Sequence, residues 1–271
     1  MRQDRYKIEE QKKKNRKIKR RKKILTVFVL LLIAGVAAEC YILFGMTTVD
    51  KRFERSVGRG LSESWKQKTN DLTFQKKGMM KGISFIETEY EAVHQFRNHR
   101  FEDKELYELS EDYISALNAC RRAAKRRDPL KDFDAFWELF SEPYGQRLKA
   151  IYKLYTGNYN LGIDKESMTA EKKATLAMGW LLCKLDEVKF KKTGGAEGNS
   201  AYGVEFRNDS EADIEYIDIA IELVDKDGNV LETVSAYTEK ISRNGKAEMM
   251  FTCTAEKVAK YRITNATIKL R

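Results

Sequence analysis

A short glycine-rich run separates two parts of the sequence that differ in hydrophobic periodicity. Residues 191–200 read KKTGGAEGNS and contain no large apolar side chain. Before this run the apolar residues recur every three or four positions, as in helices, and after it they alternate, as in strands. The sequence therefore predicts an all-α helical domain over residues 46–192, a linker over 193–200 and a small β-domain over 201–271.

The helical region predicts five helices that pack as an antiparallel bundle or a short array. Asp128-Pro129 is the start signal of the fourth helix, which Gly157 is expected to end in a left-handed conformation, and Thr169 begins the last helix. Tyr144 and Tyr159 either line a groove or pack in the core. The five predicted helices cover residues 49–68, 79–93, 106–124, 130–155 and 169–188.

The C-terminal region predicts five to seven short strands. Ile217, Ile219, Ile221 and Leu223 alternate with acidic or small residues, and Asp227-Gly228 and Asn244-Gly245 mark turns. So many strands in about 70 residues fit a small antiparallel β-sandwich.

This region resembles the FxLYD family of small immunoglobulin-like modules found in bacterial envelope proteins. The resemblance is carried by Asn208, by the hairpin LVDKDGNV at residues 223–230, and by Asn244-Gly245. Ile221 stands where the family has Phe, and Val224 replaces its Tyr. The resemblance implies an immunoglobulin-like sandwich in an extracytoplasmic setting and implies no activity.

An apolar segment near the N-terminus predicts a membrane anchor. Residues 24–45 read ILTVFVLLLIAGVAAECYILFG, with Glu39 as the one charged residue. A helix of this length spans the hydrocarbon core. The basic tail over residues 1–23 predicts a single-pass protein of the cell membrane, with its N-terminus in the cytoplasm and its C-terminus outside. Cleavage after Val36-Ala37-Ala38 is the alternative to an uncleaved signal-anchor.

The basic charge is confined to that tail. Residues 1–23 hold 13 Lys or Arg and three acids, so their net charge equals the +10 of the whole chain. The remaining body is nearly neutral, which argues against a nucleic-acid partner. The tail is expected to attract anionic lipids of the inner leaflet.

No set of residues predicts catalysis, a metal site or a cofactor. Glu91 and His94 form an E-x-x-H, but no second copy is present, and His99 is five positions from His94. Cys40, Cys120, Cys183 and Cys253 lack zinc or redox spacing. Cys120 and Cys183 either pair or stay free and buried.

These observations predict a membrane-anchored multidomain protein with one transmembrane helix, a helical domain and a β-sandwich. Its predicted function is that of a non-enzymatic binding or structural module of the cell envelope, with a protein or cell-wall partner outside the cell. One alternative is an envelope hydrolase or wall-modifying enzyme that gathers acids such as Glu87, Glu91 and Asp112 in a cleft. Another is a signal transducer that docks through the basic tail.

Overall fold

The helices form where apolar stripes follow a capping side chain. The structure is a computed structural model and describes residues 48–67, 76–129, 131–164, 167–196 and 198–271. Asp103, Asp132 and Thr169 cap three of the helices, because each side chain accepts a hydrogen bond from a backbone N–H of the first turn. The helices are α1 (Val49–Lys66), α2 (Lys76–Val93), α3 (Lys104–Arg126), α4 (Phe133–Thr156) and α5 (Ala170–Glu187).

The predicted fourth helix is one continuous helix in the structure, α4, but it begins later than predicted. Asp128-Pro129 lies in the preceding loop, and α4 begins after Asp132, whose carboxylate accepts from the Ala135 N–H. Pro143 lies inside α4 and removes one helical hydrogen bond without ending the helix. Gly157 follows α4 in an extended conformation, with φ −67° and ψ 171°, and not in the predicted left-handed one.

The strands form an antiparallel sheet with the order β1-β2-β5-β4-β3-β6. On β5, Ala247, Met249, Phe251 and Cys253 are buried and alternate with exposed residues, as the sequence pattern predicts. The strands are β1 (Lys191–Gly194), β2 (Ser200–Arg207), β3 (Ile214–Val224), β4 (Val230–Ile241), β5 (Lys246–Cys253) and β6 (Lys260–Leu270).

The sheet replaces the predicted two-sheet sandwich. Strand β2 pairs with β1 on one side and β5 on the other, and strand β3 pairs with β4 and β6 in the same way. The register pair Tyr237–Met250 joins β4 to β5, so the two groups of strands belong to one six-stranded sheet.

The glycine-rich run connects helices and sheet within a single compact unit, Val49–Arg271. Its first residues form β1, which pairs with β2. Just before it, Phe190 makes edge contacts with Phe251 of β5 and Tyr261 of β6. Trp180 of α5 packs against Phe206 of β2, with ring centroids 6.0 Å apart. Helical and sheet residues therefore share one hydrophobic core.

The helices of the structure contradict the predicted membrane-anchored fold. Across the described residues, no helix combines the length and the hydropathy needed to cross a membrane. The predictions of a transmembrane helix, a single-pass signal-anchor and a cell-membrane location are therefore wrong for this structure. The basic tail and residues 24–45, on which those predictions rested, lie outside the described residues.

Asn208 ties two turns together in the sheet. Its side chain is fully buried, and its Nδ2 donates to the carbonyls of Ala212 and Ser242. Its Oδ1 accepts from the N–H and the hydroxyl of Ser210. On its backbone, the N–H donates to Gly245 and the carbonyl accepts from Asn244. The residue that carries part of the FxLYD resemblance is thus a structural tether between turns.

We expect Asn208→Ala to lower the free energy of unfolding by about 2–3 kcal/mol, because it removes the buried side-chain hydrogen bonds of Asn208 and leaves the Ser210 N–H without its acceptor. Urea unfolding followed by circular dichroism measures the loss. The exposed Asn199→Ala is the control, with an expected change below about 0.5 kcal/mol. Equal effects of the two substitutions would show that the tether does not stabilise the sheet.

Candidate functional site

A fully buried ion pair joins three helices. Arg147 of α4 donates from Nε and Nη2 to the two carboxylate oxygens of Glu89 on α2, at 2.7 and 2.6 Å. The Tyr113 hydroxyl of α3 donates to Glu89 Oε2 at 2.8 Å. The exposed fractions of the Arg147 and Glu89 side chains are 1% and 0%. A bidentate pair of this kind fixes the relative position of the helices that carry it.

Burial and the neighbouring carboxylate also set the ionisation of Tyr113. Desolvation raises the pKa of its phenol well above 10.0, and the negative charge of Glu89 raises it further. The phenol therefore stays protonated at neutral pH and acts as a hydrogen-bond donor within the pair.

Arg147 also supports an aromatic row on α4. Its guanidinium lies over the rings of Phe85 and Tyr144, 4.6 and 5.3 Å from their centroids. Tyr144 in turn stacks on Phe140, with centroids 5.4 Å apart. The orientation of Tyr144 is thus set from two sides by buried neighbours.

Tyr144 forms part of the wall of a groove, here called the β6 groove, of about 300 Å³. The groove lies between α4, α5 and the middle of β6, and no charged side chain lines it. Its lining consists of Trp137, Ser141, Tyr144, Gly145 and Leu148 from α4, Met178 and Leu182 from α5, and residues 263–267 of β6.

Strand β6 is at the edge of the sheet beside this groove. It pairs with β3 and, among the described residues, has no strand on its other side. A register shift between β3 and β6 leaves Thr264 as an extra residue within the groove lining. The Asn265 side chain accepts from the N–H of Ala266 at 2.9 Å. Bulges of this type are common at sheet edges and next to functional sites, where they redirect side chains.

The acids proposed for an enzyme do not line one common cleft. Glu87 accepts from Arg121 at 2.7 Å, and Glu91 is exposed beside His94, at 3.8 Å. Asp112 lines a different groove, between α3 and α4. The structure therefore does not supply the gathered carboxylates that the enzyme alternative requires.

The predicted metal candidates are also dispersed. His94 Nδ1 donates to the Tyr90 carbonyl and the imidazole stacks on the Tyr90 ring, while His99 contacts Phe96. In the part of the chain that the structure describes, no three His, Cys, Asp or Glu side chains are grouped to hold a metal ion.

Cys120, Cys183 and Cys253 are free, buried thiols, which decides the open question of a Cys120–Cys183 pair. Burial raises the pKa of Cys120 to about 12, so its reactive thiolate form is scarce at neutral pH.

Sequence reasoning missed Glu89 and Arg147, although a signal for them was present. Glu89 is three positions after Ile86 on the apolar face of α2, and Arg147 lies between Tyr144 and Ile151 on the apolar face of α4. Two opposite charges on apolar faces of neighbouring helices indicate a buried pair. Tyr144 combines both predicted alternatives, since it is buried and also lines a groove.

Comparisons with known proteins assign no family. No family model matches the chain, and no curated protein matches it. A comparison with solved structures finds IrmA from Escherichia coli, at 24% identity over 30% of this chain and 72% of that chain, with a TM-score of 0.24. A likeness at that score carries no argument, and the FxLYD resemblance stays a prediction.

We expect Glu89→Ala to lower the free energy of unfolding by about 3–5 kcal/mol, because it leaves the Arg147 charge buried without its carboxylate. The control is Glu87→Ala on the same helix, whose pair with Arg121 is partly exposed, with an expected loss below about 1 kcal/mol. Chemical unfolding measures both. The double variant Glu89→Leu, Arg147→Met should lose less than Glu89→Ala, and a larger loss would contradict this account.

Proposed function

We propose that this chain is a non-enzymatic protein-binding module whose β6 groove takes an extended, uncharged segment of a partner protein. The observation that carries the proposal is that the groove runs beside the middle of an edge strand. An added strand would pair its backbone with β6, and its side chains would enter the space next to Tyr144 and Leu182. Strand addition of this kind gains affinity from the main chain and specificity from side-chain pockets.

The two edges of the sheet differ in how well they resist such an addition. Strand β1 has four residues, two of which are Lys191 and Lys192, and a short, charged edge disfavours pairing with another chain. Strand β6 has 11 residues, and residues 263–267 carry no charge. The β6 edge therefore offers the longer and less protected template.

The groove lining also selects the chemistry of the segment. Apolar side chains of the partner segment that pack against its apolar walls are removed from water, which favours binding. A charged side chain would lose its hydration there without meeting an opposite charge among the lining residues. Ser141, Thr264 and Thr267 supply neutral polar groups at the same site. The expected partner segment is therefore apolar, uncharged and free of proline at the pairing positions.

The ligand segment can be identified by selecting random decapeptides on the full chain in a display experiment. Fluorescence anisotropy then gives the affinity of each labelled peptide. Methylation of alternate backbone N–H groups in a selected peptide separates strand addition from simple apolar contact. We expect weaker binding for one set of alternate positions and little change for the other.

Gly145 allows the groove to be closed without changing its surroundings. A Cβ at this position would meet Leu182 Cδ1 at 3.6 Å, an ordinary contact. We expect Gly145→Phe to fill the groove and to weaken peptide binding by at least about tenfold. Gly145→Ala is the matched control; it should retain binding and stabilise the helix by about 0.5–1 kcal/mol. Unchanged peptide affinity in folded Gly145→Phe would refute the proposed site.

A further inference from the structure

A second groove lies on the other side of α4, between α3 and α4. Its volume is about 560 Å³, and none of its lining residues is shared with the β6 groove. The floor is formed by alanines of α3, and Leu139 of α4 lines it with 41% of its surface exposed. We call this surface the α3–α4 groove.

The α3 residues of this groove are arranged symmetrically about Ala119. The lining positions on α3 are 112, 115, 116, 119, 122, 123 and 126, so each position before Ala119 has a counterpart at the same distance after it. Asp112 is seven residues before Ala119, and Arg126 is seven residues after it. Their spacing along the helix is about 21 Å.

The charged ends of this face are open to solvent. Asp112, Arg122 and Arg126 are exposed. Within the described residues, Asp112 and Arg126 make no ion pair and no hydrogen bond through their side chains. On α3 the face thus presents an acid at one end and basic groups at the other, separated by small residues, and α4 adds the exposed carboxylate of Glu142.

We propose that the α3–α4 groove binds a second copy of this chain, through an antiparallel contact between α3 and its symmetry mate centred on Ala119. A two-fold axis at Ala119 places Asp112 of each copy opposite Arg126 of the other. An interface of this kind uses the same surface patch on both copies and must be complementary to itself. The order of charges on α3 meets that requirement, because in an antiparallel pair the acidic end of one α3 lies beside the basic end of the other.

The small residues and Leu139 supply the rest of the contact. Alanine at the centre lets two helix backbones approach closely, and the lining positions 112, 115, 119, 122 and 126 follow the spacing of an antiparallel helix seam. The exposed part of Leu139 can lose its contact with water against the partner copy. Because pairs of Asp112 and Arg126 join the two copies at both ends of the contact, the affinity of the copies for each other should fall as salt concentration rises.

Cysteine cross-linking in the full chain tests the geometry. In Ala119→Cys, the two introduced thiols meet at the axis, so mild oxidation should give a disulfide-linked dimer on a non-reducing gel. The matched control is Lys125→Cys, an exposed position of α3 outside the groove, which should cross-link no more than the parent chain. Equal yields for the two variants would overturn the proposal.

Charge reversal in the Ala119→Cys background tests the partner. Asp112→Arg brings two pairs of like charges together, and so does Arg126→Asp, so each alone should weaken association by about tenfold. Mixed together, the two variants restore opposite charges at both ends and should recover the cross-linked dimer. Both positions are exposed, and circular dichroism verifies folding. Cross-linking of the single variants at the parent yield, or no recovery in the mixture, would refute the two-fold contact.

Discussion

The buried pair of Glu89 and Arg147 is the interaction on which the helical region depends. Removing both charges from water is costly, and the pair persists because its bidentate geometry and the Tyr113 hydroxyl satisfy the carboxylate. The three groups belong to α2, α3 and α4, so these helices meet in one arrangement. The same guanidinium supports Tyr144, which means that the wall of the β6 groove is positioned by the ion pair.

Helix α4 links the two surfaces of interest. One face directs Tyr144 and Gly145 to the β6 groove, and another directs Leu139 and Pro143 to the α3–α4 groove. Pro143 cannot donate to the Leu139 carbonyl, so the helix has one backbone acceptor without its usual partner at the α3–α4 groove. Any change that displaces α4 is therefore expected to alter both surfaces together.

The parts of the fold that depend on local chemistry could be predicted from the sequence. Alternation of apolar residues and the Asp227-Gly228 turn located the strands, and Thr169 located the start of α5. The start of α4 could not be placed, because Asp128-Pro129 and Asp132 both offer local start signals and only the structure shows that Asp132 caps the helix. The β6 groove joins α4, α5 and β6, which are distant in sequence, and local patterns do not show which elements meet.

The membrane topology was inferred from residues outside the described part and is not supported by the helices that the structure shows.

The two grooves differ in the kind of recognition that their chemistry permits. The lining of the β6 groove has no charge, so its selectivity must come from shape and from main-chain pairing along β6. The α3–α4 groove has a floor of alanines, and its selectivity must come from the order of its charges. Under the two proposals, a dimer carries two β6 grooves related by a two-fold axis. A partner with two matching segments would then bind with an avidity set by the distance between those grooves, without any new contact.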